Sequence, residues 1–182
     1  MKNKRYLLII IACFPCLFGP LHAAPPKTVS KVDIERYMGR WYEISAFPAY
    51  FERGCRCTFA DYQLKNNKVH VTNRCVRKGK NGFTQANGIA WPVPDSQFSK
   101  LKVQFFWPFT GDYWILYLSS NYHDVIVGTP NRKYLWILSR APHMSQIRYE
   151  QLLKIANSKG FDTSKLVKAQ QTCQSYPKPI EK

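Results

Sequence analysis

Gly39-Arg40-Trp41-Tyr42-Glu43-Ile44 and, far along the chain, Tyr134-Leu135-Trp136-Ile137-Leu138-Ser139-Arg140 are the two stretches that decide the fold. The first places a tryptophan just inside the start of a strand, with Gly39 letting the backbone turn in close beneath it. The second ends a strand on Arg140, whose planar guanidinium can lie on an indole face, a contact worth roughly 0.5–2 kcal/mol. A Trp near the first strand and an Arg at the end of the last can plug one end of a small barrel. The other end is then left open.

The segments between these runs supply the remaining strands. Arg56–Lys65 and Lys68–Val76 flank Asn66-Asn67, and asparagine tolerates the left-handed backbone that a two-residue hairpin turn requires. Phe83–Trp91, Tyr113–Ser119 and His123–Gly128 are bounded by turn residues. Lys100-Leu101-Lys102-Val103-Gln104-Phe105 alternates cleanly, which points Leu101, Val103 and Phe105 inward. The last strands are apolar on both faces and need an outer cover. One helix can supply it: Ser145 caps it, Tyr149, Leu152, Leu153 and Ala156 form its stripe, and Gly160 ends it. Asp33 to Met38 predicts a short helical turn across the barrel base. The expectation is all-β: an eight-stranded antiparallel up-and-down barrel with one C-terminal α-helix and a short tail strand.

At 182 residues the chain has the length of one domain, and its 45% hydrophobic content argues against global disorder. Residues 1–24 read as a secretory leader and 25–182 as the folded domain. Lys2, Lys4 and Arg5 form the basic start, an apolar run follows, and Ala23 and Ala24 offer a cleavage site. Ile10-Ile11-Ala12-Cys13 also fits a lipobox, in which Cys13 would be acylated, so both leader types stay open. A net charge of +16 suggests an anionic partner; with an export signal, an anionic membrane surface is favoured over nucleic acid. Outside the leader stand Cys55, Cys57, Cys75 and Cys173, which in an exported chain read as two disulfides with three connectivities open.

Catalytic chemistry finds little support. His70, His123 and His143 are scattered, none has a ligand at metal spacing, and no Gly-x-Ser-x-Gly elbow occurs. Glu43 is the one carboxylate embedded in a motif, and a salt link near the rim or base is expected of it. Phe105-Phe106-Trp107-Pro108-Phe109 reads equally as a loop folded over its own rings and as an exposed apolar patch.

In order along the chain, Gly39-x-Trp41-Tyr42, Phe51-Glu52-Arg53-Gly54, Asp112-Tyr113-Trp114-Ile115-Leu116 and Tyr134 through Arg140-Ala141-Pro142 together resemble the lipocalin family. The likeness is to its bacterial, apolipoprotein D-like branch and covers Val32 to Gln174. The family's second motif survives only loosely, around Tyr122-His123-Asp124. The resemblance implies a binding protein rather than an enzyme, without cofactor or metal. It implies a fatty acid or lysophospholipid as ligand, for lipid storage, transport or membrane maintenance in the cell envelope, and a homodimer. Tyr62, Phe105, Tyr113 and Trp136 match pocket-lining positions, and Gly39, Trp41 and Arg140 match the closed end. Apolipoprotein D-like proteins tie this strand to the C-terminal tail through a cysteine placed as Cys57 is before Tyr62, so the resemblance implies a Cys57–Cys173 bridge, which leaves Cys55 with Cys75. A strict two-residue turn would set Thr58 opposite Cys75, so that second pair needs a bulge, expected near Gly54. Two alternatives remain beside this reading: a basic surface-interaction or sequestering module without a cavity, and an enzyme.

Overall fold

The chain enters the barrel through Asp33, whose carboxylate accepts from the Arg36 amide and caps a single turn, α1 (Ile34–Tyr37). The computed structural model describes residues 24–180; the leader up to Ala23, Cys13 included, lies outside them. Gly39, at φ 91°, then turns the backbone into β1 (Gly39–Ala46), a conformation that a side chain would oppose. There follow β2 (Cys55–Lys65), β3 (Lys68–Arg77), β4 (Thr84–Pro92), β5 (Lys100–Phe106), β6 (Phe109–Leu118), β7 (Asp124–Gly128) and β8 (Leu135–Ser139). Each strand pairs antiparallel with the next, and β1 pairs with both β2 and β8, so the sheet closes on itself. Helix α2 (Gln146–Ser158) and a two-residue strand, β9 (Val167–Lys168), complete the chain, β9 pairing with the end of β1. The expected barrel and helix are both present.

The hairpin at Asn66-Asn67 forms as expected, with φ of 50° and 57° at the two asparagines. The bulge does not lie near Gly54. The β2–β3 register slips between Arg56 and Phe59, where Cys57 itself takes φ 56°. This slip brings Cys55 opposite Arg77 and lets it bridge to Cys75, with Cα atoms 5.5 Å apart. Cys57, turned by the bulge, bridges to Cys173 across 6.0 Å.

Two apolar layers result. The interior layer includes Trp41, Ala60, Tyr62, Val69, Leu101, Ile115, Val125, Val127 and Leu138. The outer layer lies where the last strands needed a cover: Ile44, Leu116, Ile126, Leu135 and Ile137 pack under Tyr149, Leu152 and Ala156 of α2. Leu153 is only half-buried at the margin of that layer. The C-terminal tail covers another part of the outer wall, where Tyr176 packs against Tyr42, Phe59 and Phe83. Beneath it the Arg40–Asp61–Arg74 ion network is held by the tail carbonyls of Pro177 and Lys178.

Candidate functional site

An up-and-down meander puts alternate loops at opposite ends. Strand β1 starts beside α1, so α1, the Asn66-Asn67 turn and the residues after β8 share one end. Loops 47–54, 78–83, 107–108 and 129–134 share the other.

The first end is sealed. The Arg140 guanidinium lies 3.7 Å from the centre of the Trp41 rings and donates to the carbonyls of Arg36, Tyr37 and Arg40. The Trp41 indole N–H donates to the Tyr37 carbonyl at 2.9 Å, and the residue has 0% of its surface exposed. Above this plug three phenols form a chain: Tyr113 Oη is 2.7 Å from Tyr37 Oη and 3.2 Å from Tyr62 Oη. Burial pushes all three hydroxyls well above the ordinary phenol range, so they stand neutral, as donors and acceptors. Tyr62 and Tyr113 are thus neighbours on the barrel floor.

Phe105 and Trp136 face the same interior but nearer the open end, on β5 and β8. Phe105 sits tightly over Gly88: a Cβ there would stand 2.8 Å from its ring, so the glycine is what lets the ring lie against the wall. Val103, Phe105 and Trp136 point inward yet remain only partly buried, as does Tyr113, whereas Trp41 in the plug is fully buried, as is Val127, the sheet partner of Trp136. Inward side chains that still meet solvent mean that the interior above the Trp41 plug is not filled by protein throughout. Of two further concavities, the one around Arg132 and Lys159 borders none of the four expected pocket residues, and the one around Ile89 and Trp107 borders Phe105 but not Tyr62, Tyr113 or Trp136.

The upper interior also holds two carboxyls, a feature the sequence reading missed. Glu43 pairs with Leu138 in the sheet and therefore shares its inward face. Contrary to expectation, it makes no salt link among the described residues. Its carboxyl has no hydrogen-bond partner among the described residues. Glu52 comes from the loop after β1, which Arg77 ties down by donating to the carbonyls of Phe51 and Arg53. Its carboxylate accepts from the Trp136 indole N–H at 3.2 Å. Enclosure in the barrel, then repulsion from Glu52, pushes the Glu43 carboxyl up to about 8; burial also raises Glu52, with the Trp136 hydrogen bond acting against it. Glu43 is half-buried, so part of the residue still meets solvent despite that enclosure.

The rim is aromatic and basic. Phe106, Trp107 and Phe109 are exposed, Trp107 by 86%, so this loop does not fold over its own rings; Tyr50 is 85% exposed. The open-end loops carry Arg53, Lys78, Lys80, Arg132 and Lys133 against the single carboxylate of Glu52. Among the described residues no group of His, Cys, Asp or Glu is placed to hold a metal, and no helix is long and apolar enough to cross a membrane.

One trio resembles a catalytic set. Asp124 accepts from Ser139 Oγ at 2.9 Å and from Arg148 Nε at 2.8 Å, and lies 3.0 Å from His123 Nδ1. Burial would raise its carboxyl, but these hydrogen bonds outweigh that and hold it lower. The Ser139 hydroxyl is spent on Asp124 and sealed from solvent, so the trio locks α2 to the closed end and does not activate a nucleophile. It occupies the place of the weak Tyr122-His123-Asp124 motif.

A barrel with one plugged end, an open aromatic interior and a helix packed outside defines the class of one-mouthed β-barrel binding proteins. The chain belongs to the lipocalin family: the lipocalin-like domain model matches residues 32–171. Temperature-induced lipocalin-1 of Arabidopsis thaliana is 42% identical, covering 80% of this chain and 83% of that protein. The outer membrane lipoprotein Blc of Escherichia coli K12 is 38% identical, covering 81% and 85%. Apolipoprotein D of Macaca fascicularis is 33% identical, covering 93% and 98%. In structure the chain resembles insecticyanin from Manduca sexta, with TM-score 0.64, 23% identity and coverage of 81% and 84%. The resemblance read from the motifs is borne out.

Proposed function

We propose that the protein carries a single-chain lipid, a fatty acid or lysophospholipid, in the open upper half of the barrel. In this reading Tyr62 and Tyr113 form the floor and Phe105 and Trp136 the wall. The observation that supports it most is that the inward rings of Phe105, Tyr113 and Trp136 stay only partly buried above the fully buried, hydrogen-bonded Trp41 plug. The driving force is partition: each acyl methylene leaving water contributes about 0.8 kcal/mol. A dozen buried carbons supply roughly 9–10 kcal/mol before ordering costs. Trp136 on the wall makes indole fluorescence a direct readout. Titration with lysophospholipid should quench it saturably at one ligand per chain; no saturable change would reject the calyx in favour of a surface module.

The rim extends the proposal to loading. Exposed Tyr50, Phe106, Trp107 and Phe109 suit the headgroup layer, where amphipathic rings settle. Each surrounding Lys or Arg adds about 1 kcal/mol at an anionic surface. The mouth would then open onto the bilayer from which the ligand partitions. Relatives that are outer membrane lipoproteins, together with two disulfides, support an exported, envelope-associated setting with roles in lipid storage, transport or membrane maintenance. Sedimentation with phosphatidylglycerol vesicles but not phosphatidylcholine vesicles, lost at high salt, is the expected result. The implied homodimer is tested by light scattering, and acylation of Cys13 by mass spectrometry of protein from its native envelope.

A further inference from the structure

The mouth is not chemically neutral toward a polar head. Beside Glu43 and Glu52 stand three rings in series: Phe51 and Tyr134 with centroids 5.8 Å apart, then Tyr134 and Trp136 stacked at 5.7 Å. The last of these rings is hydrogen-bonded to Glu52. Ring faces next to carboxylates are the chemistry that holds an ammonium ion. The protein already uses it locally, since the Lys133 ammonium lies over Tyr134 at 5.8 Å. The loop bearing Phe51 and Glu52 is clamped by Arg77 and lies next to the Cys55–Cys75 bridge, so the arrangement is preorganised. Within the barrel the Glu43 carboxyl has no hydrogen bond among the described residues, an unmet demand that an incoming cation would satisfy.

We propose that Glu43 and Glu52, with the rings of Trp136 and Tyr134, form a headgroup subsite that selects amphiphiles carrying an ammonium group over those ending in a bare carboxylate. This rests on the calyx reading and narrows it, favouring a zwitterionic lysophospholipid over a free fatty acid. A carboxylate head would meet two acids at the mouth and enter only with both protonated. An ammonium head favours both in ionised form. Because Glu43 holds its proton up to about pH 8, binding an ammonium amphiphile releases that proton to solvent. The other titratable groups facing the interior are the phenols of Tyr37, Tyr62 and Tyr113, pushed up by burial, and Arg140 below them. Lys133 and Arg77 stand on the rim side.

The test uses the mature chain with its disulfides and four probes of equal chain length, below their micelle concentrations. These are lauroyl lysophosphatidylcholine, dodecyltrimethylammonium, laurate and the uncharged monolaurin. At neutral pH the two ammonium probes should bind at least about tenfold more tightly than laurate, with monolaurin between. In the double variant E43Q/E52Q, which keeps an acceptor for the Trp136 indole, that spread should collapse. Tight dodecyltrimethylammonium with weak lysophosphatidylcholine supports the subsite and assigns it to non-phospholipid amines. Laurate binding as tightly as the ammonium probes, with monolaurin bound, overturns the subsite and leaves the calyx standing. Failure of all four to bind overturns both. Should the double variant not fold, the wild type decides: between about pH 6 and about pH 9 ammonium affinity should rise several-fold while monolaurin affinity stays level. Equal pH profiles overturn the proposal.

Discussion

The floor and the mouth of this barrel are both rich in aromatic rings, yet one is a plug and the other an opening. At the floor, Tyr37, Trp41, Tyr62 and Tyr113 are tied by hydrogen bonds: Trp41 to a carbonyl, Arg140 to four, that of Tyr122 among them, the phenols to one another. At the mouth, Phe51, Tyr134 and Trp136 make ring contacts, but their polar groups share the one bond between Trp136 and Glu52. Aromatic content therefore does not decide which half of a barrel is core. Satisfaction of the polar atoms among the rings does, because a bonded group can be sealed at little cost and an unbonded one cannot.

Substitutions at matched positions can break this comparison. Trp41→Ala should have the largest effect, a loss of roughly 3–5 kcal/mol in denaturant melts, since it opens a cavity in packed surroundings. Arg140→Ala should cost on the order of 1–3 kcal/mol through the lost stacking and carbonyl bonds. The double variant should lose less than the sum of the two, and simple additivity would show that the pair does not act as a unit. Trp136→Ala removes a ring of the same size from the mouth and should cost only about 1 kcal/mol or less while weakening lysophospholipid affinity. A large fall in stability with unchanged affinity would place Trp136 in a packed core.

The acid pair sharpens the contrast through pH. Glu43 binds its proton more tightly folded, at about 8, than its ordinary value of 4.5 in the unfolded chain. Between these values the native state holds more protons. The stability contribution is thus fully present below the lower value, falls as pH rises, and levels off above the higher one. E43Q should flatten this slope and make the protein more stable than wild type in alkaline buffer; equal slopes would mean that Glu43 ionises freely. The smallest effect is expected at the rim: Trp107→Ser should shift stability by no more than about 0.5 kcal/mol. It should nonetheless reduce vesicle binding.

Much of this was legible because it is local. The asparagine pair sets its own turn, Ser145 caps α2 by accepting from the Arg148 amide, and Gly39 announces the start of β1. Even Arg140 and Trp41 could be matched, since each sits at a strand end whose position the hairpin order determines. The acid pair was not legible. Strand parity places Glu43 inward once β1 is aligned on Trp41, but Glu52 reaches the interior only because Arg77, on another strand, holds its loop. The bulge was missed for a similar reason: cysteine seldom takes φ of 56°, and nothing in the residues around Cys57 signals it. That position goes with a partner far along the chain, Cys173, and not with local preference.

The two bridges start two residues apart on β2 but differ greatly in reach, closing 20 and 116 residues. For a chain crossing a membrane from its N-terminus, this difference sets an order of events. Cys55 and Cys75 can be oxidised while the later strands are still inside the cell. Cys57 must wait as a free thiol until Cys173 emerges, after the barrel strands and the helix have passed. The long bridge is in effect a completion mark: only a chain delivered through its tail can acquire it.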